Sequence, residues 1–326
     1  VCSLLLGALA GCGGSGTTAP PPPTIGQIYV AKGTGAFIAR FKAGDNGDAA
    51  PQAGLGTART NSLCFDVQHN RLAGTSADGP AILVLIDNPS TSSVSRSISG
   101  ANTTMNFPGG CALDGTADVL YAVDANALVG ATAIFAFGPA STASGNIAPL
   151  HTIAVSYAVG GIAVDPANNR LFVADSTNNV INIYDAASTL NGAANPSRTI
   201  GGPLTQLAQV GPLAFDPSDR LLVGSSFINS GTAVRVFSNA GSINGNVAPS
   251  ASFALANSTM DQIAVTPAGD LYVVNSAPEI LVFANVFTAS GTINPVRIIT
   301  GPNTQLDTPI RGIPPLVIGI AVDPTR

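Results

Sequence analysis

Two histidines, one glutamate and a recurring aspartate are the side chains in this sequence with which acid–base or metal chemistry could begin. His69 lies in a QHNR turn, and His151 stands where the repeats described below place Arg198 and Arg297. Neither has a companion at metal-ligand spacing. Asp66, Asp114, Asp165, Asp216 and Asp323 recur at regular intervals, with Thr266 in the same place once. A ring of carboxylates could hold a cation. However, each Asp precedes a turn, and Pro166, Pro217 and Pro324 follow three of them directly, so the expected role is to accept the turn's own amides. Asp45-Asn46-Gly47-Asp48 has the start of a calcium loop without its remaining ligands, and a hairpin tip is expected there. No G-x-S-x-G elbow is present, and Glu279 is the only glutamate. No catalytic residue, metal or cofactor is therefore assigned. Two cysteines, Cys64 and Cys111, fall two and three places before their repeat's Asp, which sends them to opposite faces of neighbouring units, where they can meet as a disulfide.

The elements that carry these residues are strands. Of 326 residues, 36 are Gly and 24 are Pro, and only 10% are charged. With one Glu and two Lys, the usual material of long surface helices is missing, which excludes a helical bundle. The net charge of −5, with no Lys/Arg cluster, excludes an electrostatic footprint for nucleic acid.

Residues 1–10, VCSLLLGALA, form an uncharged apolar run that ends at Gly11-Cys12. Leu9-Ala10-Gly11-Cys12 resembles the bacterial lipobox, so residues 1–11 read as an N-terminally incomplete lipoprotein signal peptide and Cys12 as the lipidated residue. Residues 12–24 form a Gly/Ser/Pro tether, stiffened by Pro20–Pro23. Gly13 after the cysteine resembles the pattern of lipoproteins sent to the outer membrane. The expected address is the bacterial envelope, with a lipid anchor as the only membrane contact and a monomeric body facing the periplasm or the surface.

Residues 25–326 are one unit repeated. Segments such as GIAVDP (161–166), PLAFDP (212–217), QIAVTP (262–267) and GIAVDP (319–324) place the Asp or Thr at spacings of 48, 51, 51, 50 and 57. Each is followed by a second apolar segment (NRLFVAD, 169–175), a third (VINIYDA, 180–186) and a fourth that opens on Pro149, Pro196, Pro249 or Pro295. Asn-Gly or Ser-Gly pairs between the third and fourth segments predict tight turns, and the prolines predict an outer edge strand. Four-stranded antiparallel units of this length predict an all-β, six-bladed β-propeller. The C-terminal inner strand, Ile320–Asp323, would complete the N-terminal blade.

Residues 161–187, GIAVDPANNRLFVADSTNNVINIYDAA, resemble an NHL repeat, from a family of six-bladed propellers. The resemblance covers roughly 25–326, best over 161–202 and least over 62–100. NHL-type propellers include protein-binding modules, RNA binders and a few enzymes, so the resemblance implies a fold and leaves the activity open. The expected function is a non-catalytic module that binds an unidentified protein or ligand, or acts structurally. The alternative is a periplasmic propeller enzyme of lactonase or lyase type. The residues expected to form a binding face lie in loops where the repeat breaks down: Arg59, Asp124, Asp175, Asn275, Asp307 and Arg311.

Overall fold

A strand that is apolar at every position needs cover on both of its faces, and a ring of radially packed sheets supplies it. The computed structural model describes residues 26–32, 37–56, 59–76, 82–90, 96–126, 131–227, 231–256, 258–275, 277–306 and 317–325. They form six antiparallel sheets, each ordered inner, second, third and rim strand from the axis outward. Blade 1 takes its inner strand, Val317–Asp323, from the far end of the chain and adds Gln27–Lys32, Phe37–Lys42 and Ala53–Gly56. Blades 2 to 6 follow in chain order, with inner strands Ser62–Asp66, Pro108–Asp114, Val159–Asp165, Val210–Asp216 and Gln262–Val265.

The core is six separate seams, one between each pair of neighbouring blades. In the second strand of blade 4, Leu171 and Val173 pack towards blade 3, whereas Phe172 and Ala174 pack towards blade 5. Period-two alternation thus distributes one strand between two seams, which is why it reads as continuously apolar. At the outer margin arginines bridge the seams. Arg71 of blade 2 pairs with Asp118 of blade 3 at 2.9 Å, and Arg220 of blade 5 lies 3.4 Å above the Phe287 ring of blade 6. Arg96 donates to the carbonyls of Ala140 and Ala143 at 2.7 and 3.0 Å. A polar surface this sparse in charge places its arginines at the joints.

The Asn-Gly and Ser-Gly pairs do not close tight hairpins, contrary to the sequence expectation. Each lies midway along the connection from third to rim strand and runs against the rim of the preceding blade. Gly192–Ala193 of blade 4 pairs in parallel with rim strand His151–Val155 of blade 3, and Ser290–Ile293 of blade 6 with Ala251–Leu255 of blade 5. Gly47, Gly145 and Gly245 bridge in the same sense to Ile299, Ile98 and Ile200. The bond pattern is uniform in these three. Gly145 donates to Ser97 O at 2.7 Å and accepts from Ser99 N at 3.1 Å. Gly47 does the same with Ile298 and Thr300, and Gly245 with Thr199 and Gly201. Where Asn precedes the glycine, its Oδ1 takes one more rim amide at 3.0 Å, from Thr152, Thr199 or Ile298. These straps cover edges that would otherwise expose a row of unpaired backbone groups. The prolines accordingly sit two residues before the rim strands, outside the ladders.

The strap glycines have φ between +61° and +81°, a region that costs an L-residue about 1–2 kcal/mol. At Gly245 an added Cβ would meet nothing within 4 Å, so backbone strain is the whole effect there. Gly245→Ala should lower stability by about 1–2 kcal/mol in denaturant titration. Gly44→Ala, equally open but without the positive φ, should leave it unchanged or slightly raised.

Candidate functional site

The axial channel is the first place to look for chemistry in a propeller, and here it is walled mainly by backbone. Each inner strand is paired on one side only, so its other edge turns towards the axis. At five of the six positions where these strands enter the channel stand Ser62, Gly110, Gly161, Pro212 and Gly319. At two of them a side chain is excluded: a Cβ on Gly161 would come within 2.7 Å of Gly211 O, and one on Gly319 within 2.9 Å of the Ala31 Cβ.

The sixth position holds Gln262, and its side chain crosses the channel. Nε2 donates to Leu63 O at 2.6 Å, and Oε1 accepts from Leu63 N at 3.1 Å and from Ile320 N at 3.0 Å. One amide thus pairs with the open edges of blades 2 and 1 from blade 6. Above it lies a depression of about 180 Å³, lined by Ser62, Gly110, Cys111, Gly161 and Asp261. Below it the wall is made by the inner-strand backbone edges together with Leu63, Leu113, Val164, Phe215 and Val322. Cys64 and Cys111 are joined by a disulfide between the inner strands of blades 2 and 3, with their Cα atoms 5.8 Å apart.

The repeated aspartates lie at the lower end of the inner strands, buried, and each serves its own turn. Asp66 accepts from Gln68 N and from His69 Nδ1 at 2.9 and 2.8 Å. Asp165 holds Asn168 and Arg170, Asp216 holds Ser218 N and Arg220, and Asp323 holds Thr325 N. Burial pushes the Asp114 carboxyl above its ordinary value, with Asp66 and Asp165 adding to the rise and the Ala117 and Thr116 amides opposing it. Among the described residues, no three His, Cys, Asp or Glu side chains converge on a point that could hold a metal. Asp45, Asn46 and Asp48 belong to the blade 1 strap. They bond Lys42 N, Ile298 N and Asn303 N. His151 sits on the rim strand of blade 3. Glu279 is well outside the channel, bonded to Asn275 Nδ2 at 3.0 Å.

The residues expected to form a binding face separate into two groups. Asp124, Asp175 and Asn275 lie within two residues of the upper ends of the second strands and are buried. Asp124 accepts from the amides of Asn106 and Phe107, Asp175 from those of Thr177 and Asn178, and Asn275 Oδ1 from that of Ala277. Lys32, at the equivalent place in blade 1, donates to Gln305 O instead. The charge at this position changes from blade to blade because the facing backbone offers amides in some blades and a carbonyl in another. These side chains shape the upper loops from beneath. Arg59 is half-buried in the loop between blades 1 and 2. Cys12, Asp307 and Arg311 lie outside the described residues. Among the described residues, the large exposed apolar side chains of the upper loops are Phe107 and Leu204, at 48% and 57% exposure.

A solved chain shares this architecture. It comes from the crystal structure of a nidogen/laminin complex, with a TM-score of 0.53 and 11% identity over 91% of this chain and 98% of that one. At that identity the likeness is one of fold. No protein-family model and no curated protein matches the chain.

Gln262 is the residue that sequence reasoning passed over. Its signal was present: a long polar side chain at a repeat position otherwise held by Gly, Ser or Pro. Gln262→Leu would leave Leu63 N–H, Leu63 C=O and Ile320 N–H without the partner they now have. The expected loss is about 1–3 kcal/mol by equilibrium denaturation. An unchanged midpoint would show that the bridge contributes nothing to ring closure.

Proposed function

We propose that this chain is a lipid-anchored, NHL-like β-propeller of the bacterial envelope that acts as a non-catalytic binding or structural module through its upper loop face. The observation that carries the reading is the Gln262 bridge. An enzyme of lactonase or lyase type would use the channel to gather ligands around a metal. Here the one long polar side chain that enters the channel at the repeat position of Gln262 bonds backbone edges of blades 1 and 2. Recognition then falls to the surface formed by Arg59, Phe107 and Leu204. Exposed aromatic and arginine side chains are the residue types that anchor protein interfaces. A propeller chain in a nidogen/laminin complex supports this use of the fold. The lipobox and the Gly/Ser/Pro segment after Cys12 support the anchor. No helix among the described residues is long and apolar enough to cross a membrane.

The anchor and the face are tested separately in a bacterial producer. Mass spectrometry should find a diacylglyceryl group on Cys12, and Cys12→Ser should move the protein from the membrane fraction to the soluble one. A wild-type N-terminus without lipid overturns the anchor. A photo-cross-linking residue at Phe107 or Leu204 should give adducts of one discrete mass, while one at Val67, exposed on the opposite face, should not. Equal labelling from both faces, or none, overturns the assignment of the face.

A further inference from the structure

Five of the six rim strands carry a strap from the following blade. The sixth, Ala53–Gly56 of blade 1, has none among the described residues. Blade 2, which should supply it, is short at that point. Thirteen positions separate Asp185 from Arg198 and Ala284 from Arg297, but nine separate Asp87 from the equivalent Arg96. The four missing residues are the length of the strap core, NGAA in blade 4 and SGTI in blade 6. In place of a strap, Arg40 reaches across to the carbonyls of Pro89 and Ser90.

The open edge has the register of the others. Gln52 N donates to Arg40 O at 2.7 Å, as Leu150 N does to Ala136 O at 2.8 Å and Ser250 N to Val236 O at 2.7 Å. Leu55 therefore corresponds to Ile98, Ile153, Ile200, Phe253 and Ile299, each of which stands opposite a strap glycine. The groups that a strap would engage are Gly54 C=O and Gly56 N–H, on two exposed residues.

The straps share a sequence pattern, Ser/Asn-Gly-x-x-Ala/Asn-Pro: NGDAAP at 46–51, SGNIAP at 144–149, NGAANP at 191–196, NGNVAP at 244–249 and SGTINP at 290–295. The pattern occurs once more, as SGTTAP at 15–20. Among the described residues five rims carry a strap and one does not, and one copy of the motif lies outside the blades. The distance is compatible. Six residue steps separate Pro20 from Gly26 and span up to about 20 Å. From the second strand of blade 1 to a strap on its rim is three strand spacings, about 14 Å.

We propose that Ser15–Pro20 docks on the rim of blade 1 as the sixth strap, parallel to Ala53–Gly56, with Gly16 opposite Leu55. Gly16 N–H donates to Gly54 C=O, and Gly56 N–H donates to Gly16 C=O. The segment after Cys12 is then part of the folded body up to Pro20, and the free tether shrinks to Gly13 and Gly14. The proposal does not rest on lipidation of Cys12, and the two fail independently.

Residue-resolved amide exchange on the full, unlipidated chain tests it. The Gly56 amide should exchange at least about tenfold more slowly than in a chain that begins at Pro21, or in Gly16→Val, which cannot adopt the positive φ of a strap glycine. The amides of Ser99, Gly201 and Thr300, which donate to straps already described, are internal references and should be unchanged. A synthetic GGSGTTAPPP peptide added to the shortened chain should restore protection at Gly56. Equal exchange of Gly56 in all three proteins overturns the proposal. Protection that disappears on dilution, together with a dimer's mass, also overturns it by showing that the edge pairs with a second copy.

Discussion

Everything in this structure depends on burying both faces of every blade. Each sheet is apolar on two sides, and each seam needs a neighbour, so no blade has a core of its own. The area removed from water at one seam is shared by two blades, and the benefit is complete only when the ring closes. The arginine bridges and the straps follow from this. They act where the apolar seam ends and the rims would otherwise separate, and they need only the few charges and the Asn-Gly or Ser-Gly pairs that the chain has.

Polar side chains here serve the backbone more than each other. The lower aspartates cap turns, the residues near the upper ends of the second strands hold loop amides or a carbonyl, and Gln262 bonds strand edges across the axis. A buried polar group without a partner is costly, and the loops of a propeller present many backbone groups that need one. The five aspartates and Thr266 therefore serve as six local solutions to one turn geometry. Asp66, Asp165 and Asp216 direct carboxylate oxygens to their own turns, and among the described residues no three His, Cys, Asp or Glu side chains converge on a point.

Much of this was legible before any coordinates. The fifty-residue spacing of the Asp, and the four apolar segments within it, carry the blade count and even the composite blade, because each segment's pattern follows from where its strand lies between seams. What sequence could not carry was direction. Asp124, Asp175 and Asn275 differ in type where the scaffold repeats, and this resembles a binding signal. Only the backbone shows that their differences answer to amides facing inward. The Asn-Gly pairs indicated a positive φ correctly, but the edge they turn towards belongs to the preceding blade, 38 to 47 residues away in sequence in four straps and 252 in the fifth. Gln262 was visible as an exception in the alignment, and its partners were not.

The composite blade also bears on how the molecule is made and unmade. Gln27 pairs with Asp323 and Ala31 with Gly319, so closure joins parts of the chain almost three hundred residues apart. Because loop entropy grows only logarithmically, this costs about 3 kcal/mol more than closing a fifteen-residue hairpin, a modest thermodynamic penalty. The kinetic effect is larger. Until Val317–Asp323 is in place, blades 1 and 6 each keep an apolar face open, so the nearly finished ring is the species most prone to aggregate. Once seated, that strand stands between two seams and under the Gln262 amide. It cannot leave without opening both seams.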